Sequence, residues 1–534
     1  MRRLPLIAVA ALALTLPCTA AEQTKFAERW NYLKANLSNE AGLQTFLDLL
    51  KLSKENGCTH ILMPESRWLK MADNPDYLKR VEKAQAAAKE LNLTIVPVVF
   101  ALGYSGRYLG FDPNLCAGLP VRNLPFVVKG RTAAPDPAEA LDVSKLVNGG
   151  GTLKARPFTH YRISFYVKGT IEGGEDTLRA TAGGSGRWLT RSHPTVKKEG
   201  ERSLVTTTFN SLEGDTVRIS INVKGFEELK IEPAGTLMII RRELTPLKVT
   251  SEDGKTVYKE GEDFKPVADP VISAKPFGGE FPMDHKAADI ELTENSSIKD
   301  GQKLLVSFWH AYRMGEDQDL ISMEDPKVFE IMDKDVSLCT QVWKPAGYFM
   351  NYDEIRIGGW ENQPDGKNLK PGELLAAHVK KAVEIVKKHA PDARIYTWSD
   401  MFTPFHNARP FKAKGFYYLV NGNWDESWEG LPKDVIIMNW YSPDQNNMKF
   451  FAERGHHQVL CGYYDGTSTA KMKTNIGNWM KVSEGVPNVL GFMYTTWRND
   501  YKNLKEYFAL VDTYNEWGQG GGKTGAEPEP GVKN

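Results

Sequence analysis

In Gly347-Tyr-Phe-Met-Asn-Tyr-Asp-Glu-Ile-Arg-Ile-Gly-Gly-Trp360, an apolar run ends on two adjacent carboxylates. Residues Tyr348 to Tyr352 predict a short strand, and Asp353 and Glu354 follow it directly. Carboxylates at the end of a buried strand cost free energy unless they are hydrogen-bonded or used. Different surroundings push the pKa values of neighbouring acids apart, so that one stays ionised while the other keeps its proton. The stretch indicates acid/base chemistry, and the alternative is a surface turn with a helix-capping Asp.

Helices alternate with apolar strands on both sides of this stretch. Apolar residues at helical spacing predict a helix over residues 41–57, and a long helix is predicted over residues 373–389. Such alternation is typical of parallel β/α units. The predicted strands number eight: His60 to Glu65, Leu93 to Phe100, Leu304 to Trp309, Tyr348 to Tyr352, Ile395 to Trp398, Val435 to Trp440, Gln458 to Tyr463 and Val489 to Thr496.

Eight β/α units predict a (β/α)8 TIM barrel of the α/β class. An open doubly wound sheet is the alternative, but the sequence has no Gly-rich phosphate loop after its first predicted strand. Between the second and third predicted strands, residues 133–274 change to alternation with a period of two, as in Ile163, Phe165 and Val167. Many short half-buried strands with turns between them predict an antiparallel β-sandwich inserted into the barrel.

The two ends of the chain differ in composition from the rest. Arg2 and Arg3, an apolar run and Thr19-Ala20-Ala21 predict a signal peptide over residues 1–21, hence export to a periplasm or beyond the cell. The tail, residues 518–534, is rich in Gly, Pro and Glu and is predicted to be disordered. Residues 22–132 and 275–517 then form the two parts of the barrel around the insert.

Charge and cysteine content exclude several classes of function. Lys plus Arg and Asp plus Glu both number 67, so no basic surplus favours nucleic acid or an anionic membrane as partner. No later apolar run is long enough to insert into a bilayer. Four scattered cysteines follow the predicted signal, Cys58, Cys116, Cys339 and Cys461, and they predict buried thiols rather than a zinc site. A disulfide such as Cys58 with Cys116 stays open, and no metal or cofactor is predicted.

The carboxyl ends of the predicted strands carry a distinctive set of side chains. Catalytic groups of a TIM barrel lie at these ends. Aromatic faces stack on pyranose rings, while carboxylates and arginines bind the sugar hydroxyls, so the set predicts a sugar site; ordinary packing is the alternative for each Trp and for His310. The residues at these ends are Glu65, Arg67, Trp309, His310, Asp353, Glu354, Trp398, Asp400, Trp440, Tyr441, Tyr463, Tyr464, Asp465 and Trp497.

This order of residues resembles the β-N-acetylhexosaminidases of glycoside hydrolase family 20. The resemblance covers roughly residues 30–125 and 280–517. It implies that Glu354 is the general acid/base and that Asp353 orients the 2-acetamido group of the substrate, whose carbonyl oxygen is the nucleophile. It also implies sugar contacts by Arg67, Trp398, Trp440, Tyr463 or Tyr464, and Trp497.

The sequence departs from the family pattern at several positions. The family's His-x-Gly-Gly-Asp-Glu is here Phe349-Met-Asn-Tyr-Asp-Glu, and its Trp-x-Glu is here Trp497-Arg-Asn499. Arg356, directly behind the acidic pair, changes the local charge balance. The insert resembles jelly-roll carbohydrate-binding modules, although Trp188 is its only Trp, and a purely structural role is an equal alternative.

Three functions are compatible with this sequence, each with an oligosaccharide or glycan as partner. The first is an exported glycoside hydrolase that acts on the ends of N-acetylhexosaminides through Asp353 and Glu354. The second is a retaining glycosidase for sugars without the acetamido group, with Asp400 or Asp465 as nucleophile. The third is a barrel that binds glycan without catalysis, which the departures from the family pattern favour.

Overall fold

The computed structural model of the protein describes residues 26–517, apart from 275, 276, 278–280, 316, 317 and 365. The predicted signal peptide and the predicted disordered tail lie outside these residues. None of the described helices combines the length and the apolar character needed to cross a membrane.

The first part of the chain alternates strands with helices. Asn39 caps the first helix by accepting a hydrogen bond from the Gly42 amide, and Asn74 caps the third, which starts with Pro75. The elements are β1 Glu28–Tyr32, α1 Glu40–Glu55, β2 His60–Met63, α2 Trp68–Met71, α3 Pro75–Glu90, β3 Thr94–Val99 and α4 Gly106–Leu109.

The middle of the chain is built from antiparallel sheets. Its strands are β4 Gly118–Lys129, β5 Thr132–Pro135, β6 Gly150–Lys154, β7 His160–Lys168, β8 Leu178–Ala182, β9 Thr195–Glu199, β10 Arg202–Asn210, β11 Thr216–Ile221, β12 Phe226–Pro233, β13 Lys248–Ser251, β14 Val257–Tyr258, β15 Ile290–Glu291 and β16 Lys303–Ala311. They form sheets in the orders β12-β7-β10-β9, β6-β11-β8 and β14-β13-β16-β4-β5-β15.

The last part returns to alternating helices and strands. Its elements are α5 Pro326–Trp343, β17 Gly347–Met350, β18 Ile357–Gly358, α6 Pro371–His389, β19 Arg394–Trp398, α7 Phe411–Lys414, β20 Leu419–Val420, β21 Val435–Trp440, α8 Gln445–Glu453, β22 Gln458–Tyr463, α9 Thr469–Val482, β23 Val489–Thr495, α10 Leu504–Asp512 and α11 Tyr514–Trp517.

A closed barrel of eight parallel strands confirms the predicted TIM barrel. Its order is β1-β2-β3-β17-β19-β21-β22-β23, and β1 pairs with β23 to close it. Because all eight strands run parallel, their carboxyl ends meet at one rim. Trp30, Tyr396 and Met493 belong to the buried cluster that fills the interior below that rim.

Two strands differ from the sequence prediction, and the two errors cancel in the count of eight. Leu304 to Trp309 is not a barrel strand: it lies in β16, which pairs antiparallel with β13 and β4. The barrel strand β1 was missed because Glu28, Arg29 and Asn31 hide its apolar character. Glu28 is nevertheless buried, since it accepts hydrogen bonds from the Trp30 indole and from Arg394.

The insert therefore follows the third barrel strand and precedes the fourth, rather than lying between the second and third. Its antiparallel strands extend from Gly118 to Ala311, beyond the predicted limits of 133 and 274 at both ends. Gly118 is paired with Ala311, so the chain enters and leaves the insert on neighbouring strands. All four described cysteines are buried free thiols, and burial raises the pKa of Cys58 to about 12.

His310 lies in β16 of the insert and not at the barrel rim, which corrects its assignment to the sugar site. It is fully buried and stacks on His160 with ring centroids 3.7 Å apart. Its Nδ1 lies 2.9 Å from the Ala311 carbonyl oxygen and so carries the proton, while Nε2 accepts from the Asn210 amide at 3.0 Å. Burial lowers the pKa of His310 to about 4 and that of His160 well below its usual value.

This pair makes the stability of the protein depend on pH. Between pH 6.5 and about 4 the unfolded chain binds a proton at His310 that the folded chain does not, so acidification lowers the free energy of unfolding. At about 1.4 kcal/mol per pKa unit, the contribution of His310 is at most ~3 kcal/mol. We expect the free energy of unfolding of His310→Gln to fall less between pH 7 and pH 4.5 than that of the wild type. Urea unfolding at the two pH values is the measurement.

The exposed His457 provides the control: His457→Gln changes a histidine at the surface and should lose as much stability on acidification as the wild type. If His310→Gln and the wild type lose the same free energy of unfolding on acidification, His310 is not a source of the pH dependence.

Candidate active site

The acidic pair sits on a tight turn at the carboxyl end of β17. The amide of Asn351 donates to the Val99 carbonyl at 2.9 Å, which joins the turn to the end of β3. A Cβ atom on Gly103 would lie 1.6 Å from the Asp353 carbonyl oxygen, so only glycine allows this approach. Glu354 adopts a left-handed backbone conformation with φ 42°, which costs a non-glycine residue ~1–2 kcal/mol.

The Glu354 carboxylate has two partners that the sequence alone did not pair with it. Its Oε2 accepts a hydrogen bond from the Tyr104 hydroxyl at 2.7 Å and lies 2.7 Å from Nη2 of Arg356. Gln318 completes the arrangement, because its amide donates to the Glu354 carbonyl at 2.8 Å and accepts from Arg356 Nη1 at 2.9 Å. The side chain of Glu354 remains 27% exposed and that of Arg356 22% exposed, so the pair faces the rim.

Tyr104 is the main site residue that sequence reasoning missed. Burial raises the pKa of its hydroxyl, and the charges of Glu354 and Asp353 raise it further, so the phenol stays a hydrogen-bond donor. The available signal was its position, shortly after the end of β3, because loops that follow barrel strands supply site residues. For Arg356, burial is the largest effect and lowers the pKa, but Glu354 together with Tyr418, Tyr417 and Tyr104 outweighs burial, and the net direction is upward.

Three tryptophans pack together at the same rim, as the sequence predicted. The ring centroids of Trp398 and Trp440 are 5.1 Å apart, those of Trp440 and Trp497 are 5.2 Å apart, and Tyr463 stacks on Trp497 at 6.3 Å. Tyr32, at the end of β1, contacts Trp497 edge-on at 4.9 Å. These five aromatic residues cap the barrel interior and are called the aromatic collar below.

The aromatic collar adjoins the acidic turn. The Trp398 indole N–H donates to Oδ1 of Asn351, two residues before Asp353, at 3.1 Å. Burial raises the pKa of Tyr32, and the charge of Asp353 raises it further. Asp353 therefore interacts electrostatically with a residue of the collar. Asp353 itself is half-buried. A sugar that stacks on the collar would therefore meet the carboxylates at its edge.

Two further carboxylates of the predicted site have structural partners. Asp465 accepts hydrogen bonds from the Thr496 hydroxyl, from the Trp497 amide at 2.7 Å and from the Arg498 amide at 3.0 Å. It thereby fixes the turn that carries Trp497. Asp400 is buried and accepts from the Asn407 side-chain amide at 2.9 Å.

Arg67 and Asn499 follow barrel strands and lie at the rim. Arg67 forms an ion pair with the buried Glu65 at 3.2 Å and donates to the Ala35 carbonyl at 3.2 Å, while its side chain stays 37% exposed. Burial raises the pKa of Glu65, and the hydrogen bonds from Arg67 oppose that shift. Asn499 is exposed and accepts from the Tyr501 hydroxyl at 3.3 Å.

Tyr464 points away from the rim, which corrects its place among the sugar-binding candidates. Its buried ring stacks on Tyr494 at 5.0 Å and lies 4.8 Å from Tyr507 in α10. Its hydroxyl donates to Asn475 Oδ1, in α9, at 2.9 Å. Because side chains alternate along a strand, Tyr463 faces the collar and Tyr464 faces the helices. Among the residues that the structure describes, no cluster of His, Cys, Asp or Glu is arranged to hold a metal ion.

Comparison with known proteins gives matches to solved structures alone. No family model and no curated protein matches the sequence. Flavobacterium johnsoniae chitobiase matches with TM-score 0.38 and 10% identity, over 93% of this chain and 52% of its own. The Vibrio harveyi family 20 exo-β-N-acetylglucosaminidase matches with TM-score 0.40 and 10% identity, over 91% of this chain and 54% of its own. The Bacteroides fragilis β-N-acetylhexosaminidase matches with TM-score 0.39 and 8% identity, over 91% of this chain and 65% of its own.

The chain spans between about half and two thirds of the length of these proteins. At 8–10% identity, the likeness concerns the course of the chain and not its chemistry. Over about nine tenths of its length, the chain is structurally similar to β-N-acetylhexosaminidases of glycoside hydrolase family 20, at low sequence identity.

Proposed function

We propose that the protein is a glycoside hydrolase that releases terminal N-acetylhexosamine from glycans. The observation that carries the proposal is the contact between the aromatic collar and the turn of Asp353 and Glu354 at the carboxyl rim of the barrel. Aromatic rings in a concave site bind the apolar face of a ligand, and a few polar groups at its edge fix orientation. The collar and the acidic turn together supply both parts.

In the proposed reaction, the acetamido group of the substrate performs the nucleophilic step. Its carbonyl oxygen attacks the anomeric carbon while the glycosidic bond breaks, and Glu354 gives a proton to the leaving oxygen. Asp353 orients the acetamido group and stabilises the positive charge that develops on it. Water then opens the cyclic intermediate, with Glu354 taking up a proton from that water, which restores the enzyme.

A glycan-binding barrel without catalysis is the second candidate function, and one contact favours it. A general acid has to carry a proton, whereas an ion pair with an arginine stabilises the charged form of a carboxylate. Glu354 lies 2.7 Å from Arg356 in this structure. Asn499 also stands where the family pattern has a carboxylate, which removes one contact to the sugar hydroxyls.

The alternative of a protein nucleophile has less support from the geometry. Asp465 accepts three hydrogen bonds from the turn at Trp497, so attack on a sugar would cost those contacts. Asp400 is buried beside Asn407. Export to a periplasm or beyond the cell is part of the proposal and rests on the predicted signal peptide over residues 1–21.

Aryl glycosides with and without the acetamido group test the proposed function. We expect turnover of aryl N-acetylhexosaminides and little turnover of the matching hexosides, because only the former carry the nucleophile. Release of the aryl group, followed by absorbance, is the measurement. Turnover of the plain hexosides alone would contradict the proposal and favour Asp400 or Asp465 as the nucleophile. Glycan binding that needs Trp398, without turnover of either class, would establish the second candidate.

Two substitutions separate the roles of the acidic pair. Glu354→Gln removes the proton donor, so a disaccharide should lose ~10²–10⁴-fold in kcat/KM while an activated aryl substrate, whose leaving group departs without a proton, loses little. The comparison uses kcat/KM because opening of the cyclic intermediate by water, which also involves Glu354, affects kcat for both substrates. Asp353→Asn should impair both substrates, because it acts on the acetamido group whatever the leaving group is.

The matched control is Glu384→Gln on the outer face of α6, where the side chain is 57% exposed and should not affect kcat. An equal loss of kcat/KM on both substrates in Glu354→Gln would contradict its role as general acid.

A further inference from the structure

Stacked cations and aromatic rings connect the insert to the acidic turn. Arg179 and Arg191 both lie over the ring of Trp188, with Cζ at 3.9 Å and 4.2 Å from its centroid. Arg191 also lies 4.5 Å from the ring of Tyr418, and on the barrel side Arg356 lies 4.8 Å from that same ring. We call these five residues the arginine ladder.

The ladder ends at the candidate acid/base. Arg356 Nη2 lies 2.7 Å from Oε2 of Glu354, so Tyr418 is one contact away from the ion pair. The backbone fixes this spacing: β18 pairs parallel with β20, and the Leu419 amide donates to the Arg356 carbonyl at 3.0 Å. Tyr418 has a left-handed backbone conformation with φ 43°, and its ring lies 4.5 Å from Cζ of Arg191 and 4.8 Å from Cζ of Arg356.

The insert loop that carries Arg191 is docked on the barrel. Arg187 of the same loop is buried, with its Cζ 3.6 Å from the Phe416 ring and its Nη1 3.4 Å from Glu213. The Arg191 amide donates to the Tyr312 hydroxyl at 2.8 Å, and the Arg191 carbonyl accepts from the Gly315 amide at 2.7 Å. Arg191 is therefore held at its backbone, and its Nε also donates to the Trp188 carbonyl at 3.1 Å, while its guanidinium lies over the rings of Trp188 and Tyr418.

We propose that Arg191, supplied by the insert, is a positioning residue of the active site: through Tyr418 it holds Arg356, and through Arg356 it holds the carboxylate of Glu354. The proposal rests on the proposed function of the acidic pair. It gives the insert a catalytic purpose that a mere spacer or a separate glycan-binding module would not have.

The physical basis is the restriction of a long side chain. Gln318 and Glu354 hold Nη1 and Nη2 of Arg356, and the Tyr418 ring adds a contact to its Cζ at 4.8 Å. Nε of Arg356 is buried and has no hydrogen-bond partner among the described residues, so this ring contact adds to the restriction of the guanidinium. Arg191 in turn keeps that ring in place. A cation over an aromatic face is attracted strongly enough to change an equilibrium about 2- to 30-fold, depending on desolvation.

Substitutions along the ladder test the proposal. With a disaccharide substrate, Arg191→Ala and Tyr418→Ala should each lower kcat by roughly 2- to 30-fold with KM changed less than about twofold. Tyr418→Phe keeps the aromatic face and should restore the wild-type kcat. In a Glu354→Gln background, Arg191→Ala should have no further effect on kcat, because the residue through which it acts has lost its function.

The matched control is Arg202→Ala. Arg202 lies 3.7 Å from the Tyr166 ring within the sandwich and pairs with Glu228. Its removal therefore also deletes a contact between an arginine and an aromatic ring of the insert, but Arg202 is not part of the arginine ladder. Arg202→Ala should leave kcat unchanged. If Arg191→Ala fails to fold, Tyr418→Ala, on the barrel side, decides. Equal kcat values in the wild type and the ladder variants would overturn the proposal, as would an undiminished effect of Arg191→Ala in the Glu354→Gln background.

A readout without turnover separates this proposal from the proposed function. Crystal structures of Tyr418→Ala and Tyr418→Phe should show Arg356 displaced from Glu354 in the former and the 2.7 Å contact retained in the latter. An unchanged ion pair in Tyr418→Ala would overturn the ladder even if the enzyme is active. If the wild type turns over no glycoside, the proposed function fails while these structures still decide whether the ladder positions Glu354.

Discussion

The close approach of Gly103 to the Asp353 carbonyl is the constraint on which the site depends. These residues belong to the loops after β3 and β17, neighbouring barrel strands that the whole insert separates in sequence. The contact, together with the Asn351 amide on the Val99 carbonyl, joins β3 to β17 across that separation. It also confines Glu354 to a left-handed conformation, a form of strain that clusters at functional sites. Tyr104, one residue after Gly103, can reach Glu354 only because of this approach.

Parallel strands explain why the remaining groups converge. Trp398, Trp440 and Tyr463 each end a strand of the barrel, and Trp497 follows the last one closely, so the fold alone brings them to the rim. The acidic turn adjoins this group through the hydrogen bond from the Trp398 indole to Asn351. Asp465 illustrates a carboxylate that stabilises a turn rather than reacting: its three acceptor contacts order the segment from which Trp497 projects. The insert approaches the acidic turn from outside the collar.

The barrel, four of the five collar residues and the position of the acidic pair could be predicted from the sequence, because they depend on local patterns and on the rule that strand ends converge. The fifth collar residue, Tyr32, could not be predicted, because it ends β1. The strand β1 could not be predicted, because the burial of Glu28 depends on Arg394, which is far away in the sequence. β16 has an apolar run like that of a barrel strand, and only its pairing with β4 shows that it belongs to the insert. For the same reason His310 was misplaced. Tyr104, Gln318 and the ion pair of Glu354 with Arg356 depend on contacts between loops, which no spacing reveals.

The central claim is that the rim formed by the aromatic collar and the acidic turn binds an N-acetylhexosamine ring. The most direct measurement is a crystal structure of the protein soaked with N-acetylglucosamine. The account predicts a sugar ring against Trp398, Trp440 or Trp497, with its acetamido group within hydrogen-bond distance of Asp353. A sugar bound only on the insert, for example at Trp188, or an empty rim at a sugar concentration that saturates binding in solution, would contradict it.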